Sequence, residues 1–87
     1  MLHDIGRFTV EVELDDEGNG FVAIYAYQAE IVRWDTTEIA EDPTVGIIVA
    51  EAVATCASET PEEFAAKIGM SWDDDAGEWV VRAPGRG

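Results

Sequence analysis

Carboxylates are the side chains in this sequence that are numerous and clustered enough to do chemistry. Asp15, Glu17, Asn19 and Gly20 set side-chain oxygens at alternate positions with a glycine in sixth place, as in the first half of a calcium loop. The twelfth place would fall on Ala26, where that geometry needs a bidentate carboxylate. The flanking residues also have strand character, so a polar hairpin turn is the expected role. Asp73, Asp74 and Asp75 could hold a hard cation loosely through their oxygens. Three adjacent carboxylates in a turn point different ways, and their simpler role is to keep the tip solvated. No metal site and no cofactor is expected.

Catalysis has little to work with. Acid–base work by paired carboxylates needs a pocket that desolvates one of them, and no two acids stand at a defined spacing beside apolar residues. The Ser and Thr hydroxyls lack a base, because His3, the one histidine, sits at the chain start. Cys56 lies within the most apolar stretch, where a thiol is an inert core residue. There is no glycine-rich phosphate loop, no paired-cysteine zinc spacing and no basic-aromatic stripe. The expectation is a protein that is not an enzyme.

What remains is charge. Nineteen acids against five bases give a net charge of −14 over 87 residues. Such a field repels nucleic acid and anionic membranes and attracts basic surfaces. Four of the bases are Arg and one is Lys, a composition that resembles proteins of salt-loving organisms. In about 1 M salt the Debye length is about 3 Å, and acidity would then say nothing about partners. A single cysteine excludes an internal disulfide and points to a reducing compartment. Residues 1–6 have no basic-then-apolar leader pattern, and the apolar run 45–57 falls short of the roughly 20 residues that span a bilayer. A soluble cytoplasmic protein is expected.

The elements that must position these acids follow from periodicity. An apolar content of 47 % supports one domain, of a size that buries roughly 60 % of its unfolded surface. Residues 1–6 read as a frayed lead-in. Phe8, Val10, Val12 and Leu14 alternate with Thr9, Glu11 and Glu13, the period of a half-buried strand over 7–14. Turn residues 15–20 lead into a second strand over 21–27, which makes a β-hairpin. Residues 28–34 read as a third strand or a bent continuation of the second, with the third strand preferred, and 35–41 as a connection.

The stretch 42–58 is the apolar centre. Asp42 suits an N-cap and Pro43 the first helical position. Val45, Ile48, Val49, Ala52, Val53 and Cys56 form one helical stripe, expected to serve the core. Ile47, Ala50, Ala54 and Ala57 form a second stripe needing cover, which raises the expectation of a homodimer. Thr60, Pro61 and Glu63 compose a capping box for a short helix over 61–68, stopped by Gly69. Residues 70–82 read as a second hairpin with Trp72 and Trp79 as anchors, and 83–87 as a frayed tail. The fold expected is α+β: a small antiparallel sheet, from an N-terminal hairpin or meander plus a C-terminal hairpin, packed on one main helix with a short second helix.

The run FTVEVELDDEGNGFVA, residues 8–23, resembles the opening hairpin of HicB-type antitoxins, which follow it with another strand and a helix. The resemblance covers about a fifth of the chain and implies a small basic toxin as partner. The Pro-Gly-Cys segment that such proteins carry next is absent here, as is an appended DNA-binding module. In size, acidity and lack of enzyme motifs the chain is similar to phage-encoded inhibitors of host defence such as anti-CRISPR proteins. That likeness implies carboxylates presented to a basic nuclease groove in place of phosphates. The residues expected to meet a basic protein or nucleoprotein complex are Glu11, Glu13, Asp15, Asp16, Glu17, Asp73, Asp74 and Asp75.

Overall fold

The computed structural model describes residues 1–81. The tail over 83–87 lies outside the described residues. Strands β1 (Leu2–Ile5), β2 (Phe8–Leu14), β3 (Gly20–Ala26) and β4 (Ala29–Asp35) form an antiparallel meander in that order. Helices α1 (Thr36–Glu41), α2 (Pro43–Thr55) and α3 (Pro61–Lys67) follow, and β5 (Met70–Asp73) pairs with β6 (Glu78–Val81) as a separate sheet. The α+β class and the strand at 28–34 stand as expected.

Three readings of secondary structure are corrected. The lead-in over 1–6 is an edge strand: His3 pairs with Val10 and Ile5 with Phe8, and the Val12 N–H donates to the Met1 carbonyl at 2.9 Å. Gly6 makes the β1–β2 turn possible, with φ of +59 and a Cβ position only 2.7 Å from the Cys56 carbonyl oxygen. The connection over 35–41 holds a helical turn and a half, α1, whose Thr36 hydroxyl accepts from the Gly20 N–H at 2.9 Å. The main helix stops at Thr55 rather than 58, because the N–H groups of Ala57 and Ser58 reach back three residues and tighten the end into turns.

Local chemistry explains the helix starts. The Asp42 carboxylate accepts from Thr44 N–H at 2.9 Å ahead of Pro43. Thr60 accepts from Glu63 N–H at 3.2 Å while Glu63 accepts from Thr60 N–H at 3.0 Å, a complete capping box.

The core does not centre on α2. Phe8, Ile24, Ala26 and Ile31 of the sheet bury against Cys56, Phe64 and Ala65 and against Trp79 of the C-terminal hairpin. Phe8 and Phe64 meet edge-to-face at 5.3 Å. Of the stripe Val45, Ile48, Val49, Ala52, Val53 and Cys56, only Val49 and Cys56 are fully buried, and Ile48 is 49 % exposed. The reason is competition: α3 and β6 bring Phe64 and Trp79 onto the same sheet face, and these bulkier residues take the centre. The second stripe, Ile47, Ala50, Ala54 and Ala57, is exposed throughout.

Candidate functional site

The meander has two unlike faces. Val10, Val12, Val22 and Ile24 point toward the helices, so Glu11, Glu13, Phe21, Ala23 and Tyr25 point the other way. Strand register arranges that open face as a grid. Glu13 pairs with Phe21 and Phe21 with Asp35; Glu11 pairs with Ala23 and Ala23 with Arg33; Asp4 pairs with Thr9, Thr9 with Tyr25 and Tyr25 with Glu30. A bulge between Ile24 and Tyr25 brings Glu30 onto this face. Acids therefore occupy the four corners, as Asp4, Glu13, Glu30 and Asp35, with Glu11 inside them.

The centre of the grid is ordered by side-chain contacts. Tyr25 Oη donates to Glu11 Oε1 at 2.8 Å, and Arg33 Nε donates to Glu30 Oε1 at 2.9 Å. The Arg33 guanidinium lies 3.9 Å over the Phe21 ring. Between them Ala23 has no exposed surface. The hydrogen bond to Glu11 raises the Tyr25 phenol above its ordinary pKa, with burial and the Glu11 charge adding to it. The Met1 ammonium pairs with Glu13 at the grid edge. The face thus carries one arginine among carboxylates, with its central side chains tied to one another.

The turn acids divide by role. Asp15 Oδ1 accepts from the N–H groups of Glu17 and Asn19, each at 2.9 Å, and so builds the β2–β3 turn. Asp73 Oδ1 accepts from Asp75 and Ala76 in the β5–β6 turn in the same way, at 3.0 and 3.1 Å. Asp16, Glu17, Asp74 and Asp75 stand exposed around them. The two turns belong to different sheets. The first leaves from the Gly20 end of β3, while the second hairpin is anchored at Ala26, about 20 Å away along a seven-residue strand. Glu11, Glu13 and the 15–17 turn form one continuous acidic region; Asp73, Asp74 and Asp75 are on a different element.

Sequence reasoning missed Asp4, Glu30, Asp35, Tyr25 and Arg33 as members of this face. Asp4 was hidden by the unrecognised edge strand and Glu30 by the bulge. For Tyr25 and Arg33, alternation along 21–27 and 28–34 was a usable signal, since each lies in phase with open-face neighbours. Among the described residues no three carboxylate, imidazole or thiol groups converge as metal ligands. No described helix is long and apolar enough to cross a membrane.

Against this geometry, no family model matches the chain, and no curated protein or solved structure matches it at a significant level.

Proposed function

We propose that this chain is a small cytoplasmic, non-enzymatic binding protein that docks the open face of its four-stranded sheet on a basic protein or nucleoprotein surface. The observation that carries the reading is the grid: five carboxylates surround one arginine on a face that no other element covers. Antiparallel sheets commonly leave one face solvated, but the packed Tyr25, Phe21 and Arg33 give this one the fixed shape that selective docking needs. The net charge of −14 steers a basic partner toward it and speeds encounter. The partner class that fits is a groove evolved to hold phosphates, so the protein acts as an inhibitor by nucleic-acid mimicry, in the manner of anti-CRISPR proteins. The exposed acids Asp16 and Glu17 extend the face at its Gly20 end.

The test is a charge-matched pair of triple variants, titrated with an arginine-rich peptide and used as bait in host lysate. One neutralises the face (Glu13→Gln, Glu30→Gln, Asp35→Asn), the other the helical side (Glu38→Gln, Glu41→Gln, Glu51→Gln). The face variant should lose at least about tenfold in affinity and the other little. Binding should weaken steeply between about 0.05 and 0.5 M salt. Equal losses in both variants, or no salt dependence, would sink the reading.

A further inference from the structure

Glu30 and Phe21 hold Arg33 on the acidic face in a way that makes a seat for a guanidinium. The Arg33 Nε and Nη2 atoms each lie 2.9 Å from Glu30 Oε1, and Cζ stands 3.9 Å over the Phe21 ring. The residue opposite Arg33 on β3 is Ala23, with Phe21 and Tyr25 two places to either side of it. A small residue there leaves room for a long side chain to cross the strand. The Tyr25 ring is fixed in turn by its hydrogen bond to Glu11 at 2.8 Å. An aromatic face beside a carboxylate suits a planar, delocalised cation, and so favours arginine over lysine.

The seat offers more than Arg33 takes from it. Both nitrogens share one oxygen of Glu30, so the two-oxygen fork that arginine and carboxylate form at their best is not made. Glu30 lies three residues away on the same strand, and this short tether fixes the direction of approach. The pair is also open to water, with the Arg33 side chain 43 % exposed and that of Glu30 38 %. An ion pair so placed adds little to the stability of the fold. A guanidinium arriving from outside the sheet is free of the tether and can take both oxygens.

We infer that Phe21, Tyr25 and Glu30 form a subsite for an arginine side chain of the basic partner, and that Arg33 occupies it in the free protein as an internal competitor. This subsite presupposes the acidic face as the docking surface proposed above, and it adds the residue type that the face selects. In the free chain Arg33 keeps the seat formed. On docking, a partner arginine takes over the ring and the carboxylate, and Arg33 moves out to solvent. Arginine is among the residue types that dominate binding hot spots, which suits one such contact at the centre of the face. A tethered competitor lowers affinity through its own effective concentration, so its removal tightens binding.

The experiment titrates arginine-rich and lysine-rich peptides of equal length and charge into the wild type and three variants. Arg33→Met empties the seat, and Arg33→Lys keeps the charge but loses the planar fork. Arg7→Met removes one charge from the exposed β1–β2 turn. Arg33→Met should bind the arginine-rich peptide at least about fivefold more tightly than the wild type, the shift expected when a surface ion pair no longer competes. Arg7→Met should gain less than about twofold in screening salt. Arg33→Lys should fall between wild type and Arg33→Met at unchanged net charge. With the lysine-rich peptide, Arg33→Met should gain no more than Arg7→Met does. Arg33 is exposed, so circular dichroism should be unchanged; if Arg33→Met does not fold, Arg33→Lys decides.

Equal gains for the two peptides in Arg33→Met, or no gain for the arginine-rich one, would overturn the subsite. The neutralised face variant can still lose affinity in that case, so the docking reading survives on its own. Failure of every form to bind either peptide would sink both.

Discussion

The Trp79 indole N–H donates to the Ala26 carbonyl at 3.0 Å, a buried bond between residues 53 apart in the chain. It ties the C-terminal hairpin to the last residue of β3, while β6 also packs beside β4 and Met70 and Trp72 pack against the core. Trp79 is 6 % exposed and meets Trp72 at 5.0 Å and Tyr27 at 5.6 Å, the latter nearly parallel. Trp79→Phe keeps most of the packing but leaves the Ala26 carbonyl without its donor, which should cost about 1–3 kcal/mol. Trp79→Ala removes the ring as well and should cost about 3–5 kcal/mol, close to the whole stability of a small domain. Urea titration followed by circular dichroism measures both. Wild-type stability in Trp79→Phe would mean that packing alone holds the hairpin.

The turn that Trp79 braces is strained. Tyr27 and Gln28 both take left-handed backbone conformations, with φ of 56 and 65, as a two-residue hairpin loop demands. Neither is Gly, Asn or Asp, the residues that tolerate this region. The two positions should respond oppositely to glycine. Gln28→Gly removes strain at an exposed side chain and should stabilise by about 0.5–1 kcal/mol. Tyr27→Gly removes the same strain, but it also deletes the ring stack and the Tyr27 Oη hydrogen bond to Glu62 at 2.5 Å, so it should destabilise. Thermal melts of the two single variants distinguish these outcomes.

That turn shows where the sequence was silent. Nothing in Tyr27-Gln28 signals a tight turn, so the third strand was recognisable only by its own β-branched residues. Strands β2 and β3 were legible because alternation of Phe8, Val10 and Val12 against Thr9, Glu11 and Glu13 is a local signal. Helix α3 was legible because Thr60, Pro61 and Glu63 state their own roles. Edge strand β1 was not, because two apolar residues in four carry no period and its stability comes from β2. The role of α2 was misjudged for a related reason. Its apolar run announces burial but not which partner provides it, and Phe64 and Trp79, remote in sequence, occupy the place assigned to it. On the acidic face, Glu11 and Glu13 were found by alternation, whereas Asp4, Glu30 and Asp35 needed the register of three strand pairs.

The capping box makes α3 sensitive to acid. Backbone and side-chain hydrogen bonds with Thr60 hold the Glu63 carboxyl below its ordinary pKa of 4.5, with Lys67 adding a smaller effect. A carboxyl with a lowered folded-state pKa stabilises the fold above the unfolded value, and that stability is lost as pH falls through the folded one. Unfolding free energy should therefore decline below about pH 4.5 with a contribution from this group. Glu63→Gln keeps an acceptor at the cap without a titrating proton. Its stability profile should be flatter between pH 5 and 3 than that of the wild type, by denaturant titration at each pH. Parallel profiles would assign the acid response to other carboxyls.

Cys56 should be silent as a thiol until the protein opens. It has no exposed surface, and burial pushes its pKa from 9.0 up to about 11. At pH 8 about one thiol in a thousand would be ionised, and the thiolate is the reactive form. Native protein should react with iodoacetamide at least about a hundredfold more slowly than protein unfolded in guanidinium. The same shift has a stability consequence in alkali. The neutral thiol is favoured in the fold, so its contribution is complete below pH 9 and is lost as pH rises through about 11. Cys56→Ala would lack this loss, although it leaves a small cavity under Phe8 and Phe64 that lowers stability at every pH. The measurement is the difference in unfolding free energy between wild type and variant at pH 8 and pH 11. It should shrink at the higher pH, and a constant difference would show that folding leaves the thiol pKa unshifted.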